Sequence, residues 1–222
     1  MKPRYQRLLA AIVLFLGWSF SMQAGVAAAQ AADVVTYKVT IMNLTKGQPF
    51  SPPVAATHRD GLHMFQVGQV ATDQLAATAQ DGNPVPLYKL VNSARFGNSA
   101  MVTQKVIKGN TVTDSASFVI NASPGDTFSL ATMLICTNDG FLGLDSVALP
   151  IQGSMTYDLK GYDAGREQNT ELSKDIVDPC SALGPVKLAG DPNGNIDGPV
   201  ATSPAQPIAL HPGIKGGGDL SV

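Results

Sequence analysis

The sequence predicts an all-β protein, an antiparallel β-sandwich with one short helix and a loop-rich C-terminal tail. Three observations predict it. Short runs of alternating apolar and polar residues recur from residue 34 to about residue 162, each bounded by Gly, Asn or Pro. One run, DTFSLATMLI at 126–135, is apolar on both faces, as a central strand is. Only one segment, ATDQLAATAQDG at 71–82, carries a good helical pattern.

The chain begins with Lys2, Arg4 and Arg7, then the apolar run LLAAIVLFLGWSF, then small residues with A-x-A sites ending at Ala29 and Ala31. This is the layout of a secretory signal peptide, assigned to residues 1–31. The other reading is an uncleaved anchor, but the apolar run is shorter than the roughly 20 residues that a span needs. The expected mature chain has no membrane span and is periplasmic or secreted.

VVTYKVTIM, 34–42, turns Val35, Tyr37, Val39 and Ile41 one way and Thr36, Lys38 and Thr40 the other. NLTKGQPFSPPV reads as a turn and an extended crossing. LHMFQVG, 62–68, reads as a short strand or extended segment. In the helix that follows, Thr72 is the cap, Leu75, Ala76 and Ala79 form one face, and Asp81-Gly82 ends it. PLYKLVN, AMVTQKVI and SASFVINA read as strands. SMTYDLKGY, 154–162, alternates again, with Met155, Tyr157 and Leu159 inward. The expected domain runs over 32–183. Residues 184–222, rich in Gly and Pro, read as a loop or tail whose order would require docking on the domain.

The formal charge of −2, with 14% charged residues, offers no basic field for nucleic acid or anionic membrane. The only cysteines are Cys136 and Cys180. In an exported chain they are expected to form a disulfide, and without a CxxC or HxxxH they are a poor zinc signal. The alternative is two buried thiols.

Carboxylates gather beside the apolar run, in CTNDGFLGLDS at 136–146 and in GYDAGRE at 161–167. Asn138, Asp139, Asp145, Asp163 and Glu167 are oxygen donors of the kind calcium takes, in segments read as loops that a sandwich brings to one edge. The competing reading is turn chemistry, with Asp139 and Asp163 bonding nearby backbone. DPNGNID, 191–197, fails as an EF-hand, with Ile196 where Gly is needed and Thr202 where Glu is needed. His58 and His63 are five apart, which in one regular strand puts them on opposite faces. There is no GxSxG, HExxH or Walker loop, so a non-enzyme is expected.

NDGFLGLDSVALP followed by YDLKGYDAGRE resembles the F-spondin N-terminal domain, the spondin domain. In that family an aspartate in an SPDW-like loop leads into a G-x-D-S-L segment. A later strand carries a D-L-Y-x-Y-D-A-G-T-type motif. Asp139, the segment 143–146 and the segment 158–165 match in order and spacing. VAATHRDGLHMFQVGQVATDQLAATAQDG is similar to the family's upstream stretch, so the resemblance covers roughly residues 35–170. It looks most like bacterial, stand-alone, secreted members. The resemblance implies a C2-like β-sandwich and, from animal members, a calcium ion near the SPDW and DAG loops. It therefore implies Asp139 and Asp163 as first ligands, with Asp145 third. Gly140 replaces the motif's aromatic, Arg166 follows Gly165, and no acid falls near Val119 where animal domains place one. The expected function is a binding or adhesion-type module for an extracellular or envelope protein or glycan. The alternatives are a structural envelope protein without metal, and an enzyme whose site leaves no motif.

Overall fold

Alternation, a double-faced apolar run and one capped helix assemble as follows. The structure is a computed structural model and describes residues 34–93, 96–101, 106–108, 114–178, 180–184, 189–191 and 200–220. The segment 1–31, expected to be a signal peptide, and the DPNGNID run beyond Asp191 lie outside the described residues.

Among the described residues, eight strands, all paired antiparallel, form two sheets. β1 (Val35–Met42) pairs with β4 (Ser115–Ala122) in a two-stranded ribbon. The second sheet has the order β3-β2-β5-β6-β7-β8. Its strands are β2 (Val54–His58), β3 (Gly97–Met101), β5 (Thr127–Met133), β6 (Gly140–Ala148), β7 (Lys160–Asp163) and β8 (Ala209–Leu210). The fold is thus all-β and sandwich-like, with few short helices.

The ribbon covers one face of the large sheet. Ile41 and Ile120 meet Ala55, Phe128 and Leu130 there. Helices cover the other face. α1 (Asp73–Asp81) and α2 (Val85–Val91) bring Leu75, Ala79, Leu87 and Val91 onto Val54, Ala56, Ala131 and Phe141. Every residue of β2 is buried, since it is covered on both faces, and its Ala55-Ala56 pair lets both layers approach closely. A third cluster, Met133, Ile135, Ile176 and Leu220, surrounds the Cys136–Cys180 disulfide, whose cysteines are 44 positions apart in sequence.

Several expectations are corrected. PLYKLVN is a helix, not a strand. Pro84 and Pro86 suit a helix start, where the missing N–H costs nothing, and Leu87 and Val91 are one turn apart on the buried side. The domain therefore has more than one helix, and a single turn, α3 (Cys180–Leu183), is a further one. The segment 62–68 is not a strand: it bends at Met64 and turns at Val67-Gly68, where Gln69 N donates to Gln66 O at 3.1 Å. Gly140–Ala148 is a nine-residue strand rather than a loop, so Asp145 lies within the sheet. The strand expected over 154–162 exists only from Lys160 onward, and Met155 is exposed rather than inward. β7 pairs Lys160 with Gly143. Continuing that register would set Asp158 opposite Asp145, and like charges directly opposed destabilise a ladder.

The tail is docked. β8 pairs with β7, Ile208 and Leu220 are buried, and Asp219 accepts from Ser173 N at 2.6 Å.

Candidate functional site

The antiparallel register of β6 and β7 sets Gly140 opposite Asp163. That pairing carries Asp139 to the DAG turn, where Ala164 N donates to its carbonyl at 3.1 Å. Asp139 is fully buried. Its Oδ2 accepts from Arg166 N at 2.7 Å and Glu167 N at 3.0 Å. Its Oδ1 has no hydrogen-bond partner. Burial, and then the charge of Asp163, push the Asp139 carboxyl up to about 6, against the pull of the backbone N–H groups.

Glu167 lies two residues past the turn and is also buried. Its Oε1 accepts from Gln80 Nε2 of α1 at 2.7 Å, and its Oε2 has no partner. Burial pushes this carboxyl up to about 8; the Gln80 bond opposes the rise, and the charges of Asp139, Asp81 and Asp175 add to it. Asp163 sits at the rim with both oxygens engaged, Oδ1 by Gly165 N at 2.7 Å and Oδ2 by Asn169 Nδ2 at 2.5 Å. Arg166 ties the corner to the start of α1 through Ala71 O and Asp73. Asn138 is spent on Asp175 O and Thr170 N.

The DAG turn depends on Gly165, which has φ +70°, and a Cβ there would sit 2.2 Å from Gln206 O of the docked tail. Gly165→Ala is expected to cost about 1–3 kcal/mol. The measurement is urea unfolding together with limited proteolysis. Unchanged stability and an equally protected tail would contradict this role.

The structure brings together two of the three expected acids, Asp139 and Asp163, and adds Glu167. It does not bring Asp145 to them. Asp145 lies six residues along β6, roughly 20 Å at strand rise. There Oδ1 accepts from Met64 N at 2.6 Å, Phe65 N at 3.3 Å and Ser129 Oγ at 3.3 Å, and Oδ2 from His63 Nδ1 at 2.5 Å. Asp145 therefore fastens the 63–65 segment to the sheet. Ser146 Oγ lies 3.2 Å from the same His63 Nδ1. A nucleophilic triad places serine on Nε2, with the acid on Nδ1, so this grouping is not a relay. His58 is buried, with Nε2 2.7 Å from Ser129 Oγ, a structural histidine.

One residue near the corner had no sequence signal. The tail brings His211 beside Gly140, close enough that a Cβ on Gly140 would meet its Cδ2 at 2.9 Å. Its Nδ1 accepts from Gly213 N, its Nε2 is buried without a partner, and burial lowers its pKa, against the charges of Asp163 and Glu171.

Two buried carboxylate oxygens without donors fit a hard cation or a proton. Among the described residues no three of His, Cys, Asp and Glu are grouped to hold a metal. A cation at these two oxygens would need its remaining ligands from backbone carbonyls or water.

The fold and this corner define an all-β, sandwich-like domain with a buried acidic corner. The family model of the spondin N-terminal domain, Spondin_N, matches residues 42–177, and the chain belongs to that family. Comparison with curated proteins finds no match. Family membership and the disulfide point to an extracellular or secreted protein. Among the described residues no helix is long and apolar enough to cross a membrane.

Proposed function

We propose that the protein is an exported, non-enzymatic binding module, adhesion-like in role, whose acidic corner takes up a calcium ion. The observation that carries this reading is the pair of buried, donor-less oxygens, Asp139 Oδ1 and Glu167 Oε2. Asp139 and Glu167 are the residues that would hold the ion, with Asp163 at the rim. When bound, calcium supplies the positive charge that lets these carboxylates ionise at neutral pH. The chain's own part is to fix Asp139 through the N–H groups of Arg166 and Glu167, and Glu167 through Gln80. Membership of the spondin family supports a binding role toward an extracellular or envelope protein or glycan.

Thermal unfolding with calcium and then with chelator tests the reading. Binding to the native state raises stability by mass action, about 2.7 kcal/mol at a hundredfold excess over the dissociation constant. The expected result is a calcium-dependent rise that is lost in Asp139→Asn. No rise at millimolar calcium would leave the acids as a protonated structural pair, the second reading, in which the protein is a structural envelope component without metal.

A further inference from the structure

The two-stranded ribbon has an open side. β1 pairs with β4 from Val35 to Met42 without a bulge, and among the described residues no second strand borders it. One bond shows which backbone groups face that side. Asn43, one step beyond the strand and in register with Asp114, donates its N–H to Asp114 O at 2.9 Å. In an antiparallel ladder bonded and non-bonded pairs alternate, so Val35, Tyr37, Val39 and Ile41 share their backbone groups with β4. Thr36, Lys38, Thr40 and Met42 turn theirs outward, and no backbone bond from another described element reaches them. Burial agrees. On β4, Ile120 and Ala122 are 4% and 1% exposed, whereas Tyr37 opposite Ile120 is half-buried and Val35 opposite Ala122 is 44% exposed. β1 carries no proline or glycine, and Lys38 is its one charged residue, so it has little of the usual protection of an edge.

We propose that β1 is a dimer interface, pairing antiparallel with β1 of a second copy about a two-fold axis through Val39. Outward-turned residues can bond only outward-turned residues, which limits the registers. Centring on Val39 engages all of them. Lys38 then faces the partner's Thr40, and Thr36 faces the partner's Met42. On the apolar side Val39 meets its own copy, and Tyr37 meets the partner's Ile41, an aromatic on a β-branched side chain, which is a favourable cross-strand pair. Centring on Lys38 instead would set two lysines directly opposite, which a ladder disfavours. Centring on Thr40 would set Thr36 against Leu44, past the end of the strand. Lys38 therefore selects the register and does not forbid the pairing. A two-fold interface requires one patch that is complementary to itself, and this edge has that property in backbone, charge and apolar pattern. A second copy is thus the occupant that the edge's own residues specify. Pairing joins the two ribbons into a four-stranded sheet and covers the half-buried Tyr37 and Val39. None of these residues belongs to the acidic corner, so the inference stands apart from the calcium reading.

Sedimentation equilibrium of the purified protein, with concentration raised toward its solubility limit, tests the proposal. The expected result is a reversible monomer–dimer equilibrium. Thr40→Lys, which sets a second positive charge against the partner's Lys38, should weaken the dimer about fivefold or more, and Thr40→Glu should strengthen it by a similar factor. Thr40→Pro removes an outward N–H and spares the β4 ladder, so it should give a monomer with the parent's circular dichroism. Val39→Cys should cross-link to its own copy on mild oxidation, and Tyr37→Cys, which faces Ile41, should not. The proposal is overturned if the protein stays monomeric, if the dimer ignores the charge at position 40, or if Tyr37→Cys cross-links as fast as Val39→Cys. Should Thr40→Pro fail to fold, the charge and cross-linking variants still decide. Chelator and Asp139→Asn remove the calcium response and should leave the dimer as it is, so the two readings fail separately.

Discussion

Replacing Cys136 and Cys180 together with alanine is expected to lower the unfolding free energy by about 4 kcal/mol and the melting temperature by roughly 8–16 °C. The bridge closes a loop between residues 44 apart, and that loop entropy is removed from the unfolded chain. The two sulfurs also lie in the cluster formed by Met133, Ile135, Ile176 and Leu220, so the segment after the DAG turn loses its fastening to the end of β5. The measurement is urea unfolding of the double variant against the parent. A difference under about 1 kcal/mol would mean that the unfolded chain is already restrained over this loop. Both cysteines are buried, so reductant should act slowly on the folded protein and should block its refolding from urea.

The second large effect is a fall in stability as pH rises, with calcium withheld. The folded-state values of Asp139 and Glu167 are raised to about 6 and about 8, from 3.8 and 4.5. Between the unfolded and folded values the native state binds more protons than the unfolded state. The favourable contribution is therefore fully present below about pH 4 and is lost as pH rises through 6 and then 8. At ~1.4 kcal/mol per pH unit for each group, the two shifts bound the total at roughly 8 kcal/mol, and because the groups repel each other and share solvent relaxation the expected fall is a few kcal/mol. Glu167→Gln should keep the Gln80 bond while removing the upper part of this fall. At pH 8 in chelator the variant should be more stable than the parent by roughly 2 kcal/mol or more. Calcium should flatten the parent's profile, because a cation favours the ionised forms. Urea midpoints between pH 4 and pH 9, with and without calcium, decide the matter. A parent profile that stays flat in chelator would remove the electrostatic basis of the corner.

The elements legible in the sequence are those whose signal is local. β1 and β4 alternate, β5 is apolar on both faces, and α1 carries its own cap, with Thr72 accepting from Leu75 N. The elements that were misread depend on partners far along the chain. β2 is too rich in alanine to read as a strand until both covering layers are known. α2 shows a strand-like composition but a helical spacing of Leu87 and Val91, behind two prolines. In β6 an aspartate inside a strand looked like a loop residue, because the donors that satisfy Asp145 lie about 80 positions earlier. The meeting of Asp139 with Asp163 is expected from the motif resemblance and from loops that share a sandwich edge, whereas the structure achieves it through two consecutive antiparallel strands, β6 and β7. The part of Glu167 at the corner was only half legible. Its oxygen could be nominated from composition, but its burial depends on Gln80, 87 positions away.

The order of the strands also bears on how the chain acquires its structure. β1 pairs with a partner 85 positions later, and the sheet's last strand comes from residues 209–210. Such distant pairings belong to topologies that fold in milliseconds to seconds rather than microseconds. The acidic corner needs β6, β7, α1 and the tail in place at once. Until then Asp139 and Glu167 remain hydrated and titrate as ordinary acids. Their desolvation is therefore expected late in folding, so refolding should slow when neither proton nor cation is at hand, which stopped-flow refolding at pH 5 and pH 9 would measure. The ionic composition of the compartment where the chain emerges would then set how fast the protein matures, as well as how stable it finally is.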